Sequence, residues 1–285
     1  QLVLYLGFAS AAAMAAIFKA PIAGIVFALE VIMLDLTMVS LILLLLASVS
    51  AVMTSYIFMG QGAVYAIDQV DPFLMKDVLW YALLGVFTGL VSTYFTKAYI
   101  KIESIFSSMK TWYVKLLVGG SILGGLIFLF PSLYGEGYDS INAALHGQTS
   151  ILFERSMFFD FKDDIWVVIG MLALILVTKV IATSVTFGAG GIGGIFAPSL
   201  FLGTYAGLLF SKLVNYTGFE NLSEKNFALV GMAGIISGNL HAPLTAIFLI
   251  AELTTGYELF VPLMLTSATS YATTKLFVTN SVYTH

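Results

Sequence analysis

The sequence predicts an all-α, polytopic membrane protein built on a duplicated pattern of long and broken helices. Three observations carry that reading. Only 12 basic and 16 acidic residues stand among 285, with 59 % hydrophobic residues, where a soluble domain carries about a quarter charged residues. The charges leave long gaps: none falls between Asp35 and Asp68, or between Lys179 and Lys212, and a helix crosses the hydrocarbon in ~20 residues. An eleven-residue pattern also returns at a fixed offset of 222 residues.

Taken in chain order, the uncharged runs are 1–18, 20–29, 36–59, 78–96, 116–135, 165–178, 180–211, 226–251 and 259–274. They are too long for the strands of an outer-membrane barrel and do not alternate, so each reads as helix. Gln1 leads straight into Leu2-Val3-Leu4-Tyr5-Leu6 without a basic region, which is not a signal peptide and reads as a chain entered at or just before a helix. Run 20–29 is too short to cross a bilayer as a helix. Residues 186–198 interrupt an apolar stretch with five glycines and a proline. Short and interrupted apolar segments mark transporters whose half-helices end at midplane sites. Lys97, Lys101, Lys110 and Lys115 crowd one connection, which the positive-inside rule assigns to the cytoplasm. Segments 61–77 and 131–164 are predominantly acidic and fit the outer side.

The repeat pairs Ala20-Pro21 through Glu30 with Ala242-Pro243 through Glu252. In each, proline opens a short apolar helix, a position where its missing N–H costs nothing, and glutamate follows nine residues later. Each copy comes after a small-residue stretch (7–16; 231–238) and before a long apolar run (36–59; 259–274). Duplicated halves are a transporter feature. The counterpart of segment 188–198 falls before Gln1, so the chain is expected to hold the end of one half (1–60) and the whole of the other (61–285).

Segment Gly188-Ala189-Gly190-Gly191-Ile192-Gly193-Gly194-Ile195-Phe196-Ala197-Pro198 formally contains G-x-G-x-x-G. A dinucleotide site needs a preceding strand and an acid about 20 residues on. Here a long apolar run precedes, and the next acid is Glu220. Two other readings stay open. Glycines followed by Pro198 can start a new helix over 198–211, whose free N–H groups and positive dipole end suit a small anion. The same glycines can form a helix-packing face.

No soluble-enzyme or nucleic-acid reading survives: the net charge is −4, without a basic footprint for polyanions. There is no cysteine, no HExxH and no paired aspartate to support a thiolate metal site or an intramembrane hydrolase. Glu30 and Glu252 lie in apolar surroundings, where an acid is a functional candidate, including as the ion site of a cation-coupled transporter. The preferred reading places them at helix ends, bonded to backbone N–H groups. Lys179 lies within an apolar stretch and either adds positive potential to an anion path or snorkels to an interface. His241 reads as a helix-start residue, and His146 and His285 carry no motif.

Gly193-Gly194-Ile195-Phe196-Ala197-Pro198, preceded by Gly190-Gly191, resembles a signature of the CLC family of chloride channels and chloride/proton antiporters. Gly231-Met232-Ala233-Gly234 running into Ala242-Pro243 and Glu252-Leu253-Thr254 resembles the next helix pair, and Phe18-Lys19-Ala20-Pro21 through Glu30 its first-half match. Asn280-Ser281-Val282-Tyr283 resembles the stretch holding the pore tyrosine. The resemblance implies an inverted repeat of tilted and broken helices, voltage-gated-type chloride movement through a pore in each subunit, no cofactor beyond the transported chloride, and a homodimer in the bilayer joined through 21–59 and 243–277. It implies chloride bound by Gly194, Ile195, Phe196, Ala197 and Tyr283, with backbone N–H groups of Ile195 and Phe196 and the Tyr283 hydroxyl donating. Gly190, Gly191, Gly193, Pro198, Lys179 and Glu30 would lie beside the pore, Lys179 occupying a position that is often basic in the family. The gating-glutamate segment and the first anion signature of the family do not occur in the sequence. Exchangers of the family usually end the helix matching 21–31 in two glutamates, the second relaying protons. Here the pair is Glu30-Val31, and the substituted relay position Val31 points to channel-like or weakly proton-coupled movement.

Overall fold

The computed structural model describes residues 2–32, 38–60, 62, 65, 70–148, 164–254 and 256–284. The described residues form eleven α-helices and no strand: α1 Leu2–Phe18, α2 Pro21–Phe27, α3 Met38–Met59, α4 Val78–Ser107, α5 Trp112–Leu129, α6 Tyr138–Leu145, α7 Ile165–Gly188, α8 Phe196–Thr217, α9 Glu224–Leu240, α10 Pro243–Leu253 and α11 Phe260–Phe277. A π-helical turn, Ala28–Ile32, continues α2. Five stretches, in α3, α4, α5, α7 and α8, are long and apolar enough to span a membrane, while α1, α2 and α10 are shorter apolar helices.

The helix ends follow local chemistry. Asp164 accepts the Trp166 N–H at 2.9 Å and opens α7, and Ser223 accepts the Asn226 N–H at 3.2 Å to open α9, each satisfying an orphan donor of a first turn. Pro21 and Pro243 stand first in α2 and α10, as their sequence position predicts. Helix α7 closes on Gly190 at φ +97°, with Gly190 N–H donating to the Phe187 carbonyl at 2.9 Å and Gly191 N–H to that of Thr186 at 2.8 Å. This paired closure needs a left-handed residue, which glycine adopts without a Cβ penalty.

Three boundaries differ from the sequence reading. The helix expected from Pro198 starts at Phe196 and runs to Thr217, because proline fits anywhere in a first turn whose N–H groups have no helical acceptor. The runs 165–178 and 180–211 are not separated at Lys179; α7 passes through it. The acidic segment 131–164 contains α6. Asp68, the 149–163 stretch and His285 lie outside the described residues.

Packing concentrates on α8 and α9. Almost three quarters of the α8 span is buried, against 6 % of α5, whose side chains face outward as lipid-facing residues do. In a bilayer, helices associate by close van der Waals fit rather than by a hydrophobic drive. At Gly203 a Cβ would stand 2.3 Å from the Met232 Cα, and at Gly231 2.4 Å from the Gly203 carbonyl oxygen. A second contact joins α4, α9 and α11 through hydroxyls. Ser270 Oγ donates to the Gly234 carbonyl at 2.6 Å, Ser237 Oγ to that of Ser267 at 2.7 Å, Thr266 Oγ1 to that of Tyr81 at 2.8 Å and Thr274 Oγ1 to that of Gly89 at 3.1 Å. These interhelical bonds hold the scaffold from which the start of α8 projects.

Candidate functional site

The repeat noticed in the sequence reappears as geometry. Lys19 and His241, 222 residues apart, are the non-glycine residues with positive φ among those described, at +55° and +56°. Each turns the chain directly into its Ala-Pro helix. The glutamates nine residues after each proline then cross. Glu252 accepts the N–H groups of Ile22 at 3.1 Å and Ala23 at 2.8 Å, at the start of α2. Glu30 accepts those of Leu244 at 3.1 Å and Thr245 at 2.8 Å, and the Thr245 hydroxyl at 2.8 Å, at the start of α10. Each carboxylate thus caps the positive end of the other copy's helix. The preferred reading of both acids, bonded to backbone N–H groups at helix ends, is what the structure contains. Val31, next to Glu30, sits in the π-helical turn and packs against the main core.

The start of α8 is built differently. After the Gly190 turn the chain passes through Gly191, the fully exposed Ile192, Gly193 and Gly194 to the buried Ile195, and Phe196 begins the helix. No side chain caps this first turn, so its free N–H groups have no protein carboxylate or hydroxyl against them. Gly193, Gly194, Phe196, Ala197 and Pro198 line a cavity of about 790 Å3, together with Phe18 and Lys179. The Phe196 ring packs against Phe18 at 5.2 Å and edge-on to Phe27 at 6.3 Å, so α1 and α2 hold the α8 start from the side. From the other end of the chain, a 3-10 turn at Val282–Thr284 carries the Tyr283 hydroxyl to the backbone N–H of Ile195, with Tyr99 nearby.

Lys179 lines the cavity but is not loose in it. Its Nζ donates to the carbonyls of Leu133 at 3.1 Å and Gly135 at 3.0 Å and lies 4.6 Å above the Phe201 ring. The ammonium therefore latches the 131–135 turn to α7 while leaving its positive charge beside the α8 start. This is how an apolar helix tolerates a lysine that is only 3 % exposed: the charge finds two carbonyls and an aromatic face.

The structure thus gathers Gly193, Gly194, Ile195, Phe196, Ala197, Pro198, Lys179 and Tyr283 into one neighbourhood. Gly190 and Gly191 serve the turn before it. Glu30 lies elsewhere, at the α10 cap. His241 presents its ring edge-on to Tyr271 at 5.6 Å, and His146 Nδ1 pairs with the Asn142 carbonyl at 2.7 Å. Sequence reasoning passed over Asn239, which donates to Ser199 in the first turn of α8. One amide in a helix of small residues gives no pattern to notice, and only the α8–α9 contact reveals it.

Residues 3–275 match the profile of the voltage gated chloride channel family. A ClcB-like protein of Ralstonia nicotianae is 32 % identical over 281 residues, covering 96 % of this chain and 60 % of that protein. The H(+)/Cl(-) exchange transporter ClcA of Vibrio vulnificus is 32 % identical over 267 residues, covering 90 % of this chain and 53 % of that one. The chain therefore spans between half and two thirds of the length of these relatives. Among solved structures, a slow cyanobacterial Cl-/H+ antiporter superposes with a TM-score of 0.80 at 22 % identity, covering 99 % of this chain and 63 % of that chain. A CLC-type fluoride/proton antiporter gives 0.73 at 21 %, covering 96 % and 62 %. With the family profile matched over nearly its whole length, the chain belongs to the CLC family of voltage-gated chloride channels and transporters.

Proposed function

We propose that this chain carries chloride across the membrane, with the anion bound at the start of α8. The observation that carries the reading is the uncapped first turn at Ile195, Phe196 and Ala197, open to the cavity and met by the Tyr283 hydroxyl. Backbone N–H groups at a helix start offer partial positive charge without a fixed cation, and Lys179 adds a full charge held to one side. A small anion is attracted but not trapped as it would be by a bidentate arginine. The relatives named as chloride/proton exchangers support an anion as cargo.

In this reading Gly194, Ile195, Phe196, Ala197 and Tyr283 form the chloride site. Residues 1–60 are the end of one inverted half and 61–285 the other. Two copies pair through 21–59 and 243–277, a pairing supported by the exposed apolar face of α3, with Val39, Ile42, Leu46 and Met53, and by Val261 and Met264 of α11. The bilayer takes the cell-membrane orientation that keeps the Lys97–Lys115 connection cytoplasmic.

Tyr283→Phe removes only the hydroxyl donor. Hydrogen bonds to charged groups contribute about 1.5–3 kcal/mol, so chloride affinity should fall roughly tenfold to a hundredfold in calorimetric titration of the full-length protein. Unchanged affinity would remove Tyr283 from the site.

Movement is proposed to be channel-like or weakly coupled to protons, because Val31 has no titratable group at the position matching the relay glutamate. With a pH gradient imposed across liposomes at fixed chloride gradient, the reversal potential should stay at the chloride equilibrium value. A potential that follows the pH gradient with fixed stoichiometry means chloride/proton exchange instead. One that follows a sodium gradient means a cation-coupled carrier.

A further inference from the structure

The start of α8 is braced from behind. The Ile195 carbonyl accepts the Ser199 N–H at 3.0 Å and the Ser199 hydroxyl at 2.9 Å. The Ser199 Oγ in turn accepts from Asn239 Nδ2 at 2.9 Å, across the α8–α9 contact. Both side chains are wholly buried. The amide orientation follows from proton counting: the single Ser199 hydroxyl proton is committed to the Ile195 carbonyl, so Asn239 must present nitrogen, not oxygen, to Ser199. Asn239 Oδ1 meets no donor among the described residues. An asparagine buried with one polar atom unmatched is costly where leucine or methionine would pack freely, so packing does not account for it.

We propose that Asn239 is a positioning residue for the anion site, acting through Ser199 on the Ile195–Phe196 peptide. The inference rests on the reading of the α8 start as that site. The Ile195 carbonyl and the Phe196 N–H belong to one rigid peptide plane and point in opposite directions. Pinning the carbonyl into the helix therefore aims the Phe196 N–H out of it, on the side open to the anion. Donors on the carbonyl also polarise the peptide, and chains of hydrogen bonds strengthen one another, so the N–H becomes a better donor. Asn239 lies two residues before the His241 turn, so the relay ties the α8 start to the end of α9.

The test is chloride titration of the full-length protein by calorimetry, on the wild type, Ser199→Ala, Ser199→Thr, Asn239→Leu, the Ser199→Ala/Asn239→Leu double variant and Tyr283→Phe. Asn239→Leu keeps the volume and removes the amide. If the residues act in series, Ser199→Ala and Asn239→Leu each weaken chloride by about three- to tenfold, the size of one modest hydrogen bond. The double variant is then no weaker than Ser199→Ala, and threonine, which keeps the hydroxyl, restores affinity. A structural role alone would lower thermal stability and leave chloride binding untouched. Wild-type affinity in Asn239→Leu, or losses that multiply in the double variant, overturns the proposal while Tyr283→Phe still weakens binding. If Tyr283→Phe is silent as well, the site reading itself has failed and the positioning role falls with it.

Discussion

Gly207→Ala is expected to destabilise the protein by about 3 kcal/mol or more, at the upper end of overpacking costs. A Cβ at 207 would stand 2.0 Å from the Phe227 carbonyl oxygen and 2.7 Å from the Ala228 Cα. Both obstacles are backbone, so no side chain can rotate away, and the whole α8–α9 contact must open. The same substitution at Gly124 in α5 meets nothing within 4 Å. There alanine should be neutral or stabilise by up to about 1 kcal/mol through helix propensity. Thermal unfolding of the detergent-solubilised protein, followed by loss of the monodisperse peak, compares the two. Equal midpoints for Gly207→Ala and wild type would show that α8 and α9 do not pack as described.

The second large effect is expected at the crossed glutamates. Glu252→Ala leaves the Ile22 and Ala23 N–H groups without their acceptor, and Glu30→Ala does the same to Leu244, Thr245 and the Thr245 hydroxyl. Loss of a helix cap costs about 0.5–2 kcal/mol, and charge-assisted bonds lie at or above the top of that range. By the same measure each alanine variant should lose about 2 kcal/mol. Glutamine keeps one acceptor oxygen and should lose less than alanine at either position. Because the two caps lock α2 and α10 against each other, the double alanine variant should lose less than the sum of the single losses. The first substitution already loosens the contact the second would break. Unfolding midpoints that do not move in either single variant would rule out the caps. Sodium-dependent stabilisation lost in both would instead favour an ion site.

How far the sequence was legible can be seen at particular residues. The span helices, the Ala-Pro openings and the unusual segment 188–198 could be read because charge gaps, prolines and glycines leave local marks. The passage of α7 through Lys179 could not. A lysine in an apolar run reads as a boundary until the carbonyls of Leu133 and Gly135 are seen to take its protons. The same holds for α6, whose eight residues sit in an acidic connection and owe their place to packing: a Cβ at Gly137 would stand 2.4 Å from the Phe201 ring. Glu30 and Glu252 were visible as repeat partners, but their crossing was not, since each caps a helix more than 200 residues away. Asn239 left no mark at all, because its meaning lies in one bond to another helix.

The central claim is that the start of α8 holds the transported anion. Bromide is a chloride-like anion with a strong anomalous signal, and diffraction from crystals of the full-length protein soaked in it locates that anion directly. The claim predicts a peak within hydrogen-bond reach of the Phe196 N–H and the Tyr283 hydroxyl, weakened in Tyr283→Phe. Bromide bound only elsewhere, with the first turn of α8 bare, would contradict it.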